Sequence, residues 1–539
     1  MRHTVIGKAT KALVTVVAAA FGAGMLAGPA AVAADTPNGN IGLPDGEKGS
    51  ITVHKYTDEV KWLNPDQKNN GTELSAPADA KVLKDVSFTI YKVRGLDLTK
   101  AESWTGVKEA KVAAGENPQQ PENVTVNGKT YQIDRDSTRT VTTNERGIAA
   151  FTNLDLGLYY VVESGIGNNP ITKKAAPFFI TIPYAAQQGN WNYNPHVYPK
   201  NTVNTSGEKI ADTTDTAKVG DIITWDITQT LPGSEDGYTA IGAVDPLDTN
   251  LALAKADKSE IPFDGSSEEA LKEAVSVMIG SETIDSDLFT VTPVPVADGR
   301  HAIRVELVKG DDGKISDPYL QGLLAGTPVV KISIRTIVKT MPANGEVPNT
   351  AYKIINEYDP FNAPGNPGNP DNPGGETPPP GIPTVETPRF GDYAFKKVDD
   401  TTAKNALEGA VFEVKDGNKV VAQATSDKNG YVHFTGLFLG KRAGNELVEK
   451  EFTLVEKTAP AGYKLLTQPI TITVKQGAIN VATDAAKFGP EVVNEKSDLP
   501  QLPLTGAAGK VLLTLTGAAL IALASGTYMV SRRRMRSEI

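Results

Sequence analysis

Short runs of alternating apolar and polar residues recur along the chain. Val86-Ser87-Phe88-Thr89-Ile90-Tyr91, Phe178-Phe179-Ile180-Thr181-Ile182 and Lys331-Ile332-Ser333-Ile334-Arg335-Thr336-Ile337 each turn apolar side chains to one face at a period of two. That is the spacing of half-buried β-strands. Helical spacing is found over 266–279, where Ala270, Leu271, Ala274, Val275 and Met278 predict a lone short helix. Strands separated by turn-rich loops predict an all-β chain of tandem sandwiches, immunoglobulin-like in outline. A Pro/Gly/Asn-rich stretch over 359–388 cannot build a core; it predicts an extended linker between domains.

Both ends break the strand pattern. Arg2, Lys8 and Lys11 precede an apolar run over 12–26, and the small residues Ala31-Val32-Ala33 follow. Charged, apolar and cleavable segments in that order predict a secretory signal peptide over 1–33. Near the other end an apolar stretch over 507–530 is closed by Arg532, Arg533, Arg534 and Arg536, within a basic tail over 531–539. About 20 apolar residues match the thickness of a bilayer core, and the arginines predict a cytoplasmic side. The export signals leave residues 34–505 outside the cell, enough for about three domains.

Composition narrows the chemistry. The chain has no cysteine, which removes disulfides, thiol catalysis and thiolate metal sites. Its formal charge is −10, and no Lys/Arg stripe predicts nucleic-acid binding. His3, His54, His196, His301 and His433 show no metal-ligand spacing, so the expectation is no metal and no cofactor. Gly-x-Ser-x-Gly, H-E-x-x-H and phosphate-loop patterns are missing, and no enzyme is expected.

Three motifs carry resemblances. Leu502-Pro503-Leu504-Thr505-Gly506 resembles the L-P-x-T-G signal of sortase substrates, and implies cleavage between Thr505 and Gly506 with transfer of the Thr505 carbonyl to an amine. Over 389–497, Ala394-Phe395-Lys396-Lys397-Val398-Asp399, the run Phe452-Thr453-Leu454-Val455-Glu456-Lys457 and Val492-Val493-Asn494 resemble the Cna B-type domain with its Glu-box. The resemblance implies an isopeptide bond between Lys397 and Asn494, assisted by the acid Glu456. Strand alternation turns only one of Lys396 and Lys397 inward, and the family spacing selects Lys397. Trp191-Asn192-Tyr193-Asn194-Pro195-His196-Val197-Tyr198-Pro199-Lys200 resembles the pilin motif, W-x3-V-x-V-Y-P-K, with Pro195 in place of the first Val. It implies that Lys200 accepts Thr505 of the next subunit.

The remaining domains resemble pilin domains more loosely. Over 202–358, Glu208-Lys209-Ile210, Ala243-Val244-Asp245 and Val347-Pro348-Asn349 imply a second bond, Lys209 to Asn349 with Asp245 as acid; Asn356 is a rival acceptor and Asp248 a rival acid. Over 34–201, Ile51-Thr52-Val53-His54-Lys55-Tyr56 and Leu158-Tyr159-Tyr160-Val161-Val162-Glu163 echo a first strand and a Glu-box. The strand that should supply an Asn carries the pilin motif, so no bond is expected there. Together these resemblances point to a major, shaft-forming pilin of the SpaA type, with Cna A- and Cna B-type sandwiches in an elongated array. They imply a secreted, wall-anchored subunit of a surface pilus that supports adhesion. The implied partners are a pilin-specific class C sortase and a housekeeping sortase, identical subunits, tip and minor pilins, peptidoglycan, and an open place for a host receptor. The rival readings are a monomeric wall-anchored adhesin and a minor pilin.

Overall fold

A computed structural model of the chain describes residues 48–59, 69–185, 191–234, 237–296, 300–363 and 381–497. The expected signal peptide over 1–33, the sorting motif over 502–506, the apolar segment over 507–530 and the basic tail over 531–539 lie outside the described residues. Among the described residues no helix is long and apolar enough to cross a membrane.

The strands fall into three sandwich groups along the chain. In the first, Gly49–His54 lies between His196–Val197 and Ile148–Leu154. It faces a six-stranded sheet ordered Phe178–Ile182, Gly157–Gly165, Ser87–Val93, Lys129–Thr142, Asn123–Val126 and Lys111–Val112. A third small sheet sets Lys200–Val203 between Tyr56–Thr57 and Ile171–Lys173. In the second group Glu208–Asp212, Ile222–Thr230, Val329–Val338 and Val275–Ile279 pair in that order, opposite a sheet of Phe289–Pro295, His301–Leu307, Ile241–Pro246, Thr350–Ile355 and Ile382–Pro383. In the third, Tyr431–Arg442, Thr387–Asp399 and Val492–Asn494 face Lys419–Thr425, Val411–Asp416, Glu449–Thr458 and Ile470–Lys475.

Alternation explains the packing. Ile223, Trp225 and Ile227 point inward from Ile222–Thr230, while Thr224, Asp226 and Thr228 stay part exposed. Each fully buried side chain of this size contributes roughly 1.5–3 kcal/mol from its apolar surface. The Trp225 indole N–H donates to Thr336 Oγ1 at 2.9 Å, so its burial leaves no orphan donor.

Two sequence expectations change. The helix predicted over 266–279 is real only over Glu268–Lys272, capped by Ser267; Val275–Ile279 is a strand. Val275, Val277 and Ile279 are buried at a period of two, and their β-branched side chains suit the pleated sheet better than a helix. Within 359–388, the described residues 359–363 and 381–388 pack into the sandwiches. Phe361 is fully buried against Tyr352, Ile382–Pro383 pairs with Thr350–Ala351, and the long strand Thr387–Asp399 begins the third sandwich.

Adjacent sandwiches are joined by specific bonds. The Lys353 ammonium donates to Asn204 O at 2.5 Å and Ser206 O at 2.6 Å. Asn356 accepts from Thr239 N and donates to Thr172 O, both at 2.8 Å. At the next junction Val219 N donates to Gly436 O at 2.8 Å and Phe438 N to Ala217 O at 2.9 Å. A Cβ at Gly436 would meet Val219 Cγ2 at 2.3 Å, and the residue has φ +61°, so glycine permits that approach. Arg389, buried there, pairs with Glu346.

Candidate functional site: three buried triads and an acceptor strand

In the middle sandwich Lys209 and Asp245 are fully buried, with Lys209 Nζ 2.7 Å from Asp245 Oδ1. The Asn349 amide donates to Asp245 Oδ2 at 3.2 Å. Burial pulls the Lys209 ammonium down to about 8, although Asp245 opposes the shift. Burial likewise pushes the Asp245 carboxyl upward against the pull of Lys209. An acid raised and a base lowered in one pocket favour the neutral pair that condensation requires. Asn349 Oδ1 is buried with no hydrogen-bond partner among the described residues. A protonated Asp245 could satisfy that acceptor and polarise the amide carbonyl. The rivals lie elsewhere. Asn356 is held by Thr239 and Thr172, and Asp248 accepts from Asn250 N in a turn.

The third sandwich repeats the arrangement. Lys397 is fully buried and donates to Val492 O at 3.0 Å, while neighbouring Lys396 is part exposed, as strand alternation requires. The Asn494 amide donates to Glu456 Oε1 at 2.9 Å and Oε2 at 3.0 Å, and to Lys464 O at 2.9 Å. Desolvation lowers the Lys397 ammonium to about 8 against the attraction of Glu456. Asn494 Oδ1, like Asn349 Oδ1, lacks a hydrogen-bond partner among the described residues. Thr387–Asp399 and Val492–Asn494 run parallel with Lys397 opposite Val492, so the Asn sits two residues beyond the lysine's partner.

The first sandwich holds a third triad, which corrects the expectation that its closing strand has no Asn to offer. Lys55 is fully buried, with its Nζ 2.8 Å from Glu163 Oε2 and donating to Asn201 Oδ1. The Asn201 amide in turn donates to Glu163 Oε1 at 2.5 Å. Burial lowers the Lys55 ammonium to about 8, opposed by Glu163. Tyr56 is opposite Lys200 in a parallel pair and Thr57 opposite Asn201. Lys55 therefore falls opposite Pro199, and Asn201 again lies two residues beyond. The signal available in the sequence was the position of Asn201 directly after Lys200, where strand alternation puts it on the opposite face.

Lys200 and Asn201 are neighbours on one strand and so face opposite ways. Asn201 is buried, whereas Lys200 is part exposed. The rest of the motif fixes this strand in place. Trp191 packs on Trp104 with ring centroids 5.0 Å apart, Val197 is opposite Val53, and Pro199 O accepts from Tyr56 N at 3.3 Å. The Tyr198 hydroxyl accepts from Leu74 N at 2.6 Å.

Comparison with known proteins agrees with this architecture. Residues 46–202 match the N-terminal domain, D1, of Gram-positive pilin subunits. Residues 391–487 match a prealbumin-like fold domain of the SpaA family, and 494–536 match the LPXTG cell wall anchor motif. The chain is similar to fimbrial subunit type 2 of Actinomyces naeslundii, at 29% identity over 90% of each chain. It is also similar to fimbrial subunit type 1 of Actinomyces viscosus, at 27% identity over 95% of this chain and 96% of the relative. Among solved structures, the major pilin SpaD of Corynebacterium diphtheriae aligns with TM-score 0.50 and 23% identity, over 85% of this chain and all of that one. The major pilin SpaA of the same organism aligns with TM-score 0.52 and 20% identity, over 83% of this chain and all of that one. The D1, prealbumin-like and anchor matches follow one another along the chain, so three of its segments are similar to Gram-positive pilins and their wall anchor. The fimbrial-subunit relatives and the anchor motif support a place on a wall-anchored surface pilus.

Proposed function

We propose that identical copies of this chain are joined into a covalent shaft by a class C sortase, through an amide between Lys200 Nζ of one subunit and the Thr505 carbonyl of the next. The sortase's thiol would displace Gly506, and Lys200 would then displace the thiol. A housekeeping sortase would pass the basal subunit to peptidoglycan, and minor pilins would complete the polymer, which presents adhesive surface to a host. The observation that supports this reading is the strand Lys200–Val203, on which Lys200 is part exposed while its neighbour Asn201 is buried.

We infer further that all three triads close. In each, the neutral lysine Nζ attacks the Asn side-chain carbonyl carbon, the bond from that carbon to Nδ2 breaks, and ammonia leaves with protons relayed by the buried acid. The pairs are Lys55 with Asn201 over Glu163, Lys209 with Asn349 over Asp245, and Lys397 with Asn494 over Glu456. The SpaA pilin of C. diphtheriae is described as having a modular assembly and stabilising isopeptide bonds, which supports carrying the same chemistry to this chain. A load entering at Lys200 and leaving at Thr505 would cross the second and third sandwiches, each spanned by a covalent bond in place of noncovalent contacts of only several kcal/mol in sum. In the first sandwich the bond would anchor Asn201, the residue next to the loaded lysine.

Replacing Lys200 with Ala in cells tests the polymer reading. The ladder of high-mass species on a denaturing gel should vanish, with wall-anchored monomer remaining. A persisting ladder would assign the linkage to another lysine, and monomer in the unaltered strain would favour the solitary adhesin.

A further inference from the structure

The fold brings together two of the histidines that the sequence scatters. His54 lies on Gly49–His54 and His196 on His196–Val197, strands that pair in parallel with Thr52 opposite His196. His54 Nε2 and His196 Nδ1 are 2.8 Å apart, so the two rings share one N–H hydrogen. Glu73 reaches the same point from the loop that follows residue 69, and one donor atom from each of His54, Glu73 and His196 lies within 4.8 Å of the others.

We propose that His54, His196 and Glu73 form a binding site for a divalent transition metal of the zinc class, beside the acceptor strand. Two imidazoles and a carboxylate are a donor set that such ions take, with water in the fourth tetrahedral position. Bonds of about 2.0–2.1 Å put tetrahedral donors about 3.3 Å apart. The histidine nitrogens need to open by only about half an ångström from their hydrogen-bonded contact. Glu73 is exposed and on a loop, so it can close the remaining distance without disturbing the sheet. Binding uses the lone pair of the accepting nitrogen and the electron pair that now bonds the shared hydrogen to the donating one. That hydrogen moves to the other nitrogen of its ring through solvent, and no net proton is released. Burial lowers the affinity of both imidazoles for a proton, and His196 adds to this at His54, while Glu73 opposes the shift at both.

The surroundings give the site a consequence. Tyr198 stacks on His54 with centroids 4.8 Å apart, and the Tyr198 hydroxyl accepts from Leu74 N, next to Glu73. A metal held by these three residues would fasten the first strand, the pilin-motif strand and the 69–74 loop at one point, four residues before Lys200. The proposal stands independently of Lys200 being the acceptor.

The test uses the full-length chain in detergent, titrated with Co²⁺ alone and then displaced by Zn²⁺. One equivalent of Co²⁺ should give the visible absorption of a four-coordinate site, lost on adding Zn²⁺. Glu73→Gln, at an exposed loop position that leaves folding intact, should weaken Co²⁺ binding by at least about tenfold, and His196→Gln should do the same. His301→Gln and His433→Gln should leave it unchanged. Absence of the absorption in the unaltered chain, or unchanged affinity in either Glu73→Gln or His196→Gln, would overturn the site.

Discussion

Replacing Asn349 with Ala separates the covalent contribution of a triad from its noncovalent one. The substitution leaves the buried Lys209–Asp245 pair at 2.7 Å intact, so no charge is stranded. It removes one amide hydrogen bond of 3.2 Å, from a residue whose own oxygen has no partner. That loss is worth about 1 kcal/mol. A Lys209–Asn349 bond would also close a loop of about 140 residues, and cross-linking a loop of that length costs the unfolded chain about 5 kcal/mol in entropy. At about 2–4 °C per kcal/mol for a domain of this size, the hydrogen bond alone predicts a fall of about 2–4 °C. Loss of the cross-link as well predicts a fall of about 12–24 °C. Three domains have no single melting point, so calorimetry should be read for the one transition that moves. Intact mass supplies the independent check, since each closed bond removes one ammonia, about 17 Da. A shift of no more than about 4 °C, with equal ammonia loss in both proteins, would refute the assignment of Asn349.

Glu163→Ala should leave the first sandwich unlinked, so the folded chain should fall short of its calculated mass by two ammonia losses instead of three. Asn494→Ala should make the third sandwich pH-sensitive. Its free Lys397 titrates near 8 when folded and near 10.4 when unfolded, so the unfolded chain binds more protons between those values. Melting of that sandwich in Asn494→Ala should therefore climb from about pH 8 to about pH 10, whereas the linked parent, with Lys397 locked in an amide, should lack this rise. Val219→Ala should loosen the packing at Gly436 without changing the number of ammonia losses, read as faster proteolysis between the second and third sandwiches.

The parts of the fold written as local alternation were legible in the sequence. Val86-Ser87-Phe88-Thr89-Ile90-Tyr91 and Lys331-Ile332-Ser333-Ile334-Arg335-Thr336-Ile337 lie on strands, because side-chain period is a local property. Alternation turns only one of Lys396 and Lys397 inward, and the family spacing selects Lys397. Asn201 was missed because Lys200 had already been given a function and the strand was treated as having one face. A strand has two, and here one carries the acceptor lysine while the other carries the triad's amide. The meeting of His54 and His196 was illegible for a different reason: they adjoin only through parallel pairing of strands far apart in sequence, which no local spacing records. The segment 266–279 failed where helical and strand spacings overlap over a short apolar run, and the sheet edge offered by Val329–Val338 decided its second half.

The linkage between subunits is tested most directly by digesting purified pili and sequencing the branched peptides by mass spectrometry. The account predicts a peptide in which the carbonyl of Thr505 is bonded to Nζ of Lys200. Thr505 found on any other lysine, or only on peptidoglycan, would contradict it.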